Sequence, residues 1–301
     1  MDKMYNARTD LAVEANAIST GAGRLDGVTV TETKRDNLLI TIVEVVSPEG
    51  ERQIGKPMGK YITVECPDGF ASQGEDFFDA ARAVAEQIKL LMGDTEGVTL
   101  VAGLGNRAVT PDAVGPKAGE HIIVTRHLFD EDMRSDFAIF NPVCAITPGV
   151  LGITGMETGE ILKGVVDRVK PNALIAIDAL CSRSMSRLCK TIQMTDTGIV
   201  PGSGIGNSRA AITPDVMGVP VIAVGVPTVV DAMTIAADIA SEAGMSFERL
   251  HNASGCPDAS MIVTPKDIDR QIDAISRLIG YGINMALHNG LDGEEIASLL
   301  S

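Results

Sequence analysis

No stretch of the 301 residues reaches the roughly 18 uninterrupted apolar positions of a membrane-spanning helix. Residues 1–14 carry charge throughout and lack the apolar core of a secretory signal. The five cysteines, at 66, 144, 181, 189 and 256, are odd in number and include no C-x-x-C pair, so neither a disulfide framework nor a zinc knuckle is suggested. Cationic residues are scarce, 25 Lys and Arg against 40 Asp and Glu. Wide non-specific contact with DNA or RNA, which needs Lys and Arg to neutralise phosphates, is therefore not expected. Tryptophan is absent, and the four histidines have no Ser or Cys partner in a G-x-S-x-G elbow, so a nucleophile-and-histidine hydrolase is disfavoured. Internal repeats and low-complexity linkers are missing too.

What is present is an ordinary globular composition, 45% hydrophobic and 22% charged. A net charge of −15 favours encounter with a cationic polypeptide through the summed field of the surface. Without secretory or membrane signals, a reducing cytoplasm is the expected compartment.

From about residue 98, short apolar runs alternate with helical segments, the pattern of a parallel sheet covered by helices on both faces. Strands are expected at 98–102, 173–177 and 219–224, each a continuous aliphatic run. Helices are expected at 77–92 and from the Thr264-Pro265 start to His288. Residues 29–65 read as a hairpin or added antiparallel strands, with Pro-Glu-Gly at 48–50 as a turn. The expectation is one α/β domain, a three-layer sandwich around a twisted, mostly parallel sheet of the phosphorylase/hydrolase-like kind, with a β-rich N-terminal extension over 11–70.

Ligands of open α/β sheets bind at the carboxyl ends of the strands, which directs attention to three places. In the loop 103–115, a glycine turn aims Asp112 across the sheet end; it is neither G-x-G-x-x-G nor a P-loop. The alternative for Asp112 is a favourable placement at a helix N-terminus. Asp178 directly follows the run 173–177, with a helix N-cap as its alternative role. Two carboxylates facing one crevice cannot both ionise easily, so one keeps a proton and serves as general acid while the other serves as base. The third place is the glycine-rich loop 196–207, where Asp196, Gly202, Ser203 and Gly204 offer backbone N–H groups to an extended substrate. Asp196-Thr-Gly matches pepsin-like proteases superficially, but the rest of the chain is not two-lobed and β-rich. Cys181, three residues from Asp178, is an outside candidate for a nucleophile. No metal-ligand spacing is present, and no cofactor is expected.

Together the motifs resemble the germination proteases of spore-forming bacteria. The resemblance runs through Arg-Thr-Asp-Leu-Ala-Val-Glu at 8–14, Gly-Leu-Gly-Asn at 103–106, Thr-Pro-Asp-Ala-Val-Gly-Pro at 110–116 and Val-Thr-Arg-His-Leu-Phe at 124–129. It continues through the glycine-rich 148–155, Ile-Ala-Ile-Asp-Ala-Leu at 175–180, Asp-Thr-Gly at 196–198, Pro-Gly-Ser-Gly at 201–204, the long run 218–232 and Val-Thr-Pro at 263–265. The fold so implied is similar to that of the hydrogenase maturation endopeptidases.

The resemblance implies an endopeptidase that starts the degradation of small acid-soluble spore proteins during germination. Its catalytic aspartates would be Asp112 and Asp178. It also implies a zymogen that removes a short propeptide. The segment 8–14 looks like a substrate sequence cut after an acidic residue, so self-cleavage is expected between Asp10 and Leu11, leaving 1–10 as propeptide and 11–301 as the protease domain. A homotetramer in the cytoplasm of the spore core, without membrane or direct nucleic-acid partners, is further implied. One departure is the short 239–262 stretch, where longer relatives carry an insertion that bears on assembly and zymogen control. The rival readings are a non-catalytic binder of basic spore proteins and a metal-dependent protease.

Overall fold

The computed structural model describes residues 9–20, 25–129, 139–202, 210–243 and 261–301. Its centre is a nine-stranded sheet. The elements, in chain order, are α1 (Ala12–Thr20), β1 (Val28–Arg35), β2 (Leu38–Val45), α2 (Pro48–Ile54), β3 (Gly59–Glu65), α3 (Glu75–Met92), β4 (Thr99–Gly103), α4 (Val114–Gly119), β5 (Val143–Ile146), α5 (Leu151–Thr154) and α6 (Thr158–Val169). After them come β6 (Ala173–Ser182), β7 (Thr191–Thr195), α7 (Pro214–Met217), β8 (Val221–Asp231), α8 (Ala232–Glu242), β9 (Ile262–Val263), α9 (Ile268–Leu287) and α10 (Gly293–Leu299).

The strand order is β1-β2-β3-β7-β8-β6-β4-β5, with β9 added to β8. Pairing is parallel along β8-β6-β4-β5 and antiparallel along β1-β2-β3-β7-β8. The N-terminal region thus extends the α/β sheet as the expected antiparallel strands.

Period-two alternation divides the strands between two faces. Ile40, Ile62, Ile192, Ile175 and Ile222 point to the face covered by α3, α4 and α9. That layer is built from helical stripes: Phe77, Ala81, Val84 and Ile88 on α3, and Ile268, Ile272, Ile275, Ile279 and Ile283 on α9. Phe77 and Tyr281 meet edge to face at 5.2 Å where the two helices touch. The opposite face is covered in two separate places. Val43, Val45 and Tyr61 lie beneath α1 and α2, whereas Leu100, Leu174 and Ala176 pack with Leu162 and Met217 of α6 and α7.

Three local expectations are corrected. The Pro-Glu-Gly segment at 48–50 opens α2 instead of making a turn: Ser47 Oγ accepts from Gly50 N–H, Pro48 occupies the first turn, and Gly55 ends the helix in the left-handed region at φ 65°. The long C-terminal helix begins at Ile268, because Thr264 Oγ1 donates to the Thr228 carbonyl and fastens the chain to β8 rather than capping. Lastly, β6 and β8 extend well beyond 177 and 224, so Asp178 lies within a strand.

Candidate functional site

Among the described residues, the two helical covers on the second face stand apart and leave β7, β8 and β6 open between them. A cavity of about 790 Å³ occupies that gap. Asp178 and Leu180 of β6, Gln193 and Thr195 of β7, and Ala223 and Gly225 of β8 line its floor. Asp178 is 5% exposed, and its Oδ1 accepts from the Ala179 N–H at 2.9 Å. Across the ladder it is paired with Gly225, which brings no side chain to crowd it.

Asp112 stands at the end of a 3-10 turn, Thr110–Asp112, in the loop after β4. The last pair of the β4–β6 ladder joins Gly103 to Ile177, so this loop leaves the sheet beside Asp178. The 3-10 turn approaches both β6 and β8. Asp112 Oδ2 accepts from the Asn106 N–H at 2.7 Å, closing the glycine turn. Gly105 is required here: at φ 108°, a Cβ would lie 2.1 Å from the Asp112 carbonyl oxygen. The loop that carries Asp112 therefore comes alongside β6, within which Asp178 lies, and Asp178 is the one of the two that lines the cavity.

Thr9 and Asp10 line the same cavity, and residues 9–14 are firmly docked. Leu11 and Ala12 are fully buried. Asp10 N–H donates to the Cys181 carbonyl at 2.9 Å, and Cys181 N–H donates to Asp10 Oδ2 at 2.8 Å. This exchange falls where the β6–β8 register shifts between Leu180 and Cys181, and irregularities of that kind re-aim groups beside sites. The Asp10 carbonyl accepts from Lys56 Nζ at 3.0 Å and from Gln193 Nε2 at 3.1 Å. Gln193 Oε1 accepts from Ala12 N–H at 2.6 Å, so one carboxamide bridges the main-chain groups on either side of Leu11, whose own N–H donates to Thr9 Oγ1 at 3.0 Å.

Glu14 anchors the far end, accepting from the N–H groups of Arg183 at 2.7 Å and Ser184 at 3.1 Å. Burial lowers the pKa of Lys56, with Asp10 and Glu14 acting against that shift. Burial pushes the Tyr61 hydroxyl up to about 12; it donates to the Pro57 carbonyl and steadies the turn that carries Lys56.

The glycine-rich loop reaches the cavity through Thr197, Gly198 and Gly202. Asp196 does structural duty: its Oδ1 accepts from the Lys60 N–H at 2.9 Å and ties β7 to the start of β3. Ser203 and Gly204 lie outside the described residues, as does most of the 239–262 stretch. Cys181 is buried, and its thiol is pushed up to about 12 by that burial, with Asp10 adding to the effect. Among the described residues, no three His, Cys, Asp or Glu side chains group as ligands for a metal ion. No described helix is long and apolar enough to cross a membrane.

Sequence reasoning missed Lys56, Gln193, Arg187, which pairs with Glu14 at 3.4 Å, and the anchoring role of Glu14, read there only as part of the 8–14 motif. Gln193 left a trace, as a large polar residue inside the strand Thr-Ile-Gln-Met-Thr. The other three are ordinary charged residues until the fold brings the N-terminal segment to them.

Comparison with known proteins agrees with the motifs. The family model described as germination protease matches residues 6–247. A germination protease of Clostridium perfringens is 41% identical over 332 aligned positions, covering 99% of this chain and 100% of the relative. One from Caldanaerobacter subterraneus is 43% identical over 325, covering 97% and 98%, and one from Priestia megaterium is 36% identical over 360, covering 98% and 97%. These alignments exceed the 301 residues of the chain, so the relatives carry segments that it lacks. Among solved structures, a NiFe hydrogenase maturation protease from Thermococcus kodakarensis overlaps slightly, with TM-score 0.36 and 12% identity over 65% of this chain and 98% of its own.

Proposed function

The chain belongs to the germination protease family, whose members are endopeptidases of spore germination, and from that membership we propose a self-processing precursor that cuts its own Asp10–Leu11 bond with Asp112 and Asp178. The observation that carries this reading is the seating of that peptide. Its carbonyl is held by two donors, and Asp10 shares a cavity with Asp178.

The chemistry follows from two carboxyl groups sharing one proton. The ionised member takes a proton from water, whose oxygen bonds to the Asp10 carbonyl carbon. The protonated member gives its proton to the Leu11 nitrogen as the C–N bond breaks. The products are a new carboxyl group on Asp10 and a new amine on Leu11, which end as carboxylate and ammonium once the new acid's proton passes to the amine, and the pair of aspartates again holds one proton. Before the cut, residues 9 and 10 fill part of the substrate cavity, which accounts for an inactive precursor with 1–10 as propeptide and 11–301 as protease domain.

Small acid-soluble spore proteins are the substrates in this reading, and the spore core is the compartment. A sequence like Thr-Asp-Leu-Ala-Val-Glu, docked as 9–14 are, would place its acidic residue against the Cys181 N–H. A homotetramer is part of the same proposal; sedimentation of the purified chain at a fourfold mass tests it, and a monomer would end it.

The deciding experiment follows intact mass and N-terminal sequence before and after mild acidification, with Asp112→Asn and Asp178→Asn beside the parent. Loss of residues 1–10 in the parent alone is expected. Equal processing in both variants would remove the aspartates from the mechanism. An uncut folded chain that retains spore proteins without fragmenting them would favour the binding role.

A further inference from the structure

Attack on a peptide carbonyl moves negative charge onto its oxygen, and donors already aimed at that oxygen lower the barrier without reorganising. We propose that Lys56 and Gln193 are catalytic residues of self-cleavage, together forming the site that holds the Asp10 oxygen as it becomes an oxyanion. The inference rests on the reading that Asp10–Leu11 is the bond cut.

The geometry brings the two donors to that oxygen from separate elements. Lys56 hangs from the turn between α2 and β3, where the left-handed Gly55 ends the helix and the Pro57 carbonyl is tied by Tyr61. Gln193 rises from β7 at the centre of the sheet, 6% exposed. Lys56 Nζ is 3.0 Å and Gln193 Nε2 is 3.1 Å from the Asp10 oxygen, and Asp178 on β6 lines the same cavity. The carboxamide is fixed by accepting from Ala12 N–H, so its NH₂ is directed at the Asp10 oxygen. A cation and a fixed dipole therefore converge on the one oxygen of the segment where charge would appear.

A role in holding the segment predicts something different from a role in the reaction, and the two separate experimentally. The full chain is made with Lys56→Met, Lys56→Arg and Gln193→Met. The rate of loss of residues 1–10 is read by intact mass, and amide hydrogen exchange reads the docking of residues 11–20. Lys56→Met and Gln193→Met should each slow cleavage by roughly 10²–10³-fold, the usual effect of losing one oxyanion donor. Protection of 11–20 should persist in Lys56→Met, and Lys56→Arg, which keeps a charged donor, should recover most of the rate.

Cleavage of Lys56→Met at the parental rate would overturn the proposal. So would a slower rate matched by an equal loss of protection, since Lys56 would then only fasten the segment. Should Gln193→Met not fold, the Lys56 pair decides alone. A parent chain that never loses residues 1–10 would instead bring down the underlying reading of the cleaved bond, a result distinct from any in the variants.

Discussion

Glu14 and Arg187 form an ion pair at 3.4 Å in which the carboxylate is 4% exposed and the guanidinium is shared with Glu65 at 2.8 Å. One buried side chain of the N-terminal segment is thereby linked to the segment after β6 and to the end of β3. Glu14→Ala leaves the Arg183 and Ser184 N–H groups without their acceptor, a loss of about 1–3 kcal/mol in docking. Arg187 keeps Glu65, so the sheet should stay intact. The expected result is faster amide exchange over 11–20 and slower self-processing, with little change in melting temperature. Unchanged exchange would show that Leu11 and Ala12 hold the segment by themselves.

Cys181 supplies main-chain groups to the candidate site, and its buried thiol is not expected to act as a nucleophile. Burial raises its pKa to about 12, so the thiolate that a nucleophile needs is scarce at neutral pH. Cys181→Ser keeps the carbonyl and N–H that meet Asp10 and should process within a fewfold of the parental rate. Iodoacetamide should leave the native chain uninhibited. Strong inhibition, with alkylation mapped to Cys181, would return the thiol to the mechanism.

The parallel half of the sheet was legible because strands buried on both faces read as unbroken aliphatic runs. The same rule drew β6 and β8 too short. Asp178, and Gly225 with Pro227, look like terminators, yet the register shift after Leu180 lets the ladder pass Pro227 and continue. Helix α2 was hidden because Ser-Pro-Glu-Gly serves equally for a turn and for a capped helix start; only the packing of Ile54 beside Val43 and Tyr61 decides. Asp112 and Asp178 stood out by position at strand ends. Lys56 and Gln193 did not, since their importance depends on where a segment some 46 to 183 residues away comes to rest.

His288 gives a pH dependence of fixed sign. It is 1% exposed, with Nδ1 accepting from the Asn141 N–H and Nε2 facing the Ile123 carbonyl, the pattern of a neutral ring. Burial lowers its pKa below 6.5, and the Ile123 hydrogen bond works the other way without offsetting it. Burial likewise lowers that of His121, with Arg277 adding to the shift. The unfolded chain therefore binds protons at these rings before the folded one does. Their stability is fully present above about pH 6.5 and falls as pH drops, by up to about 1.4 kcal/mol per ring per pH unit. Melting temperature should decline between pH 6.5 and 5, and His288→Gln should flatten part of that decline. An equally steep decline in the variant would exclude His288 as a source.

Chelation separates the two-aspartate reading from its metal-dependent rival. A metalloprotease needs at least three ligands held together, commonly with an open position for water. The described carboxylates near the cavity have other tasks: Asp10 receives the Cys181 N–H, Asp112 the Asn106 N–H, and Asp196 the Lys60 N–H. Asp178 accepts from the Ala179 N–H, and His121 and His288 pack with the helical layer on the other side of the sheet. Dialysis against EDTA should therefore leave the rate of processing within experimental error of the untreated chain, and added zinc or manganese should not raise it. Loss of processing on chelation, recovered by one particular ion, would mean that the water is activated by a bound metal instead of by a shared proton.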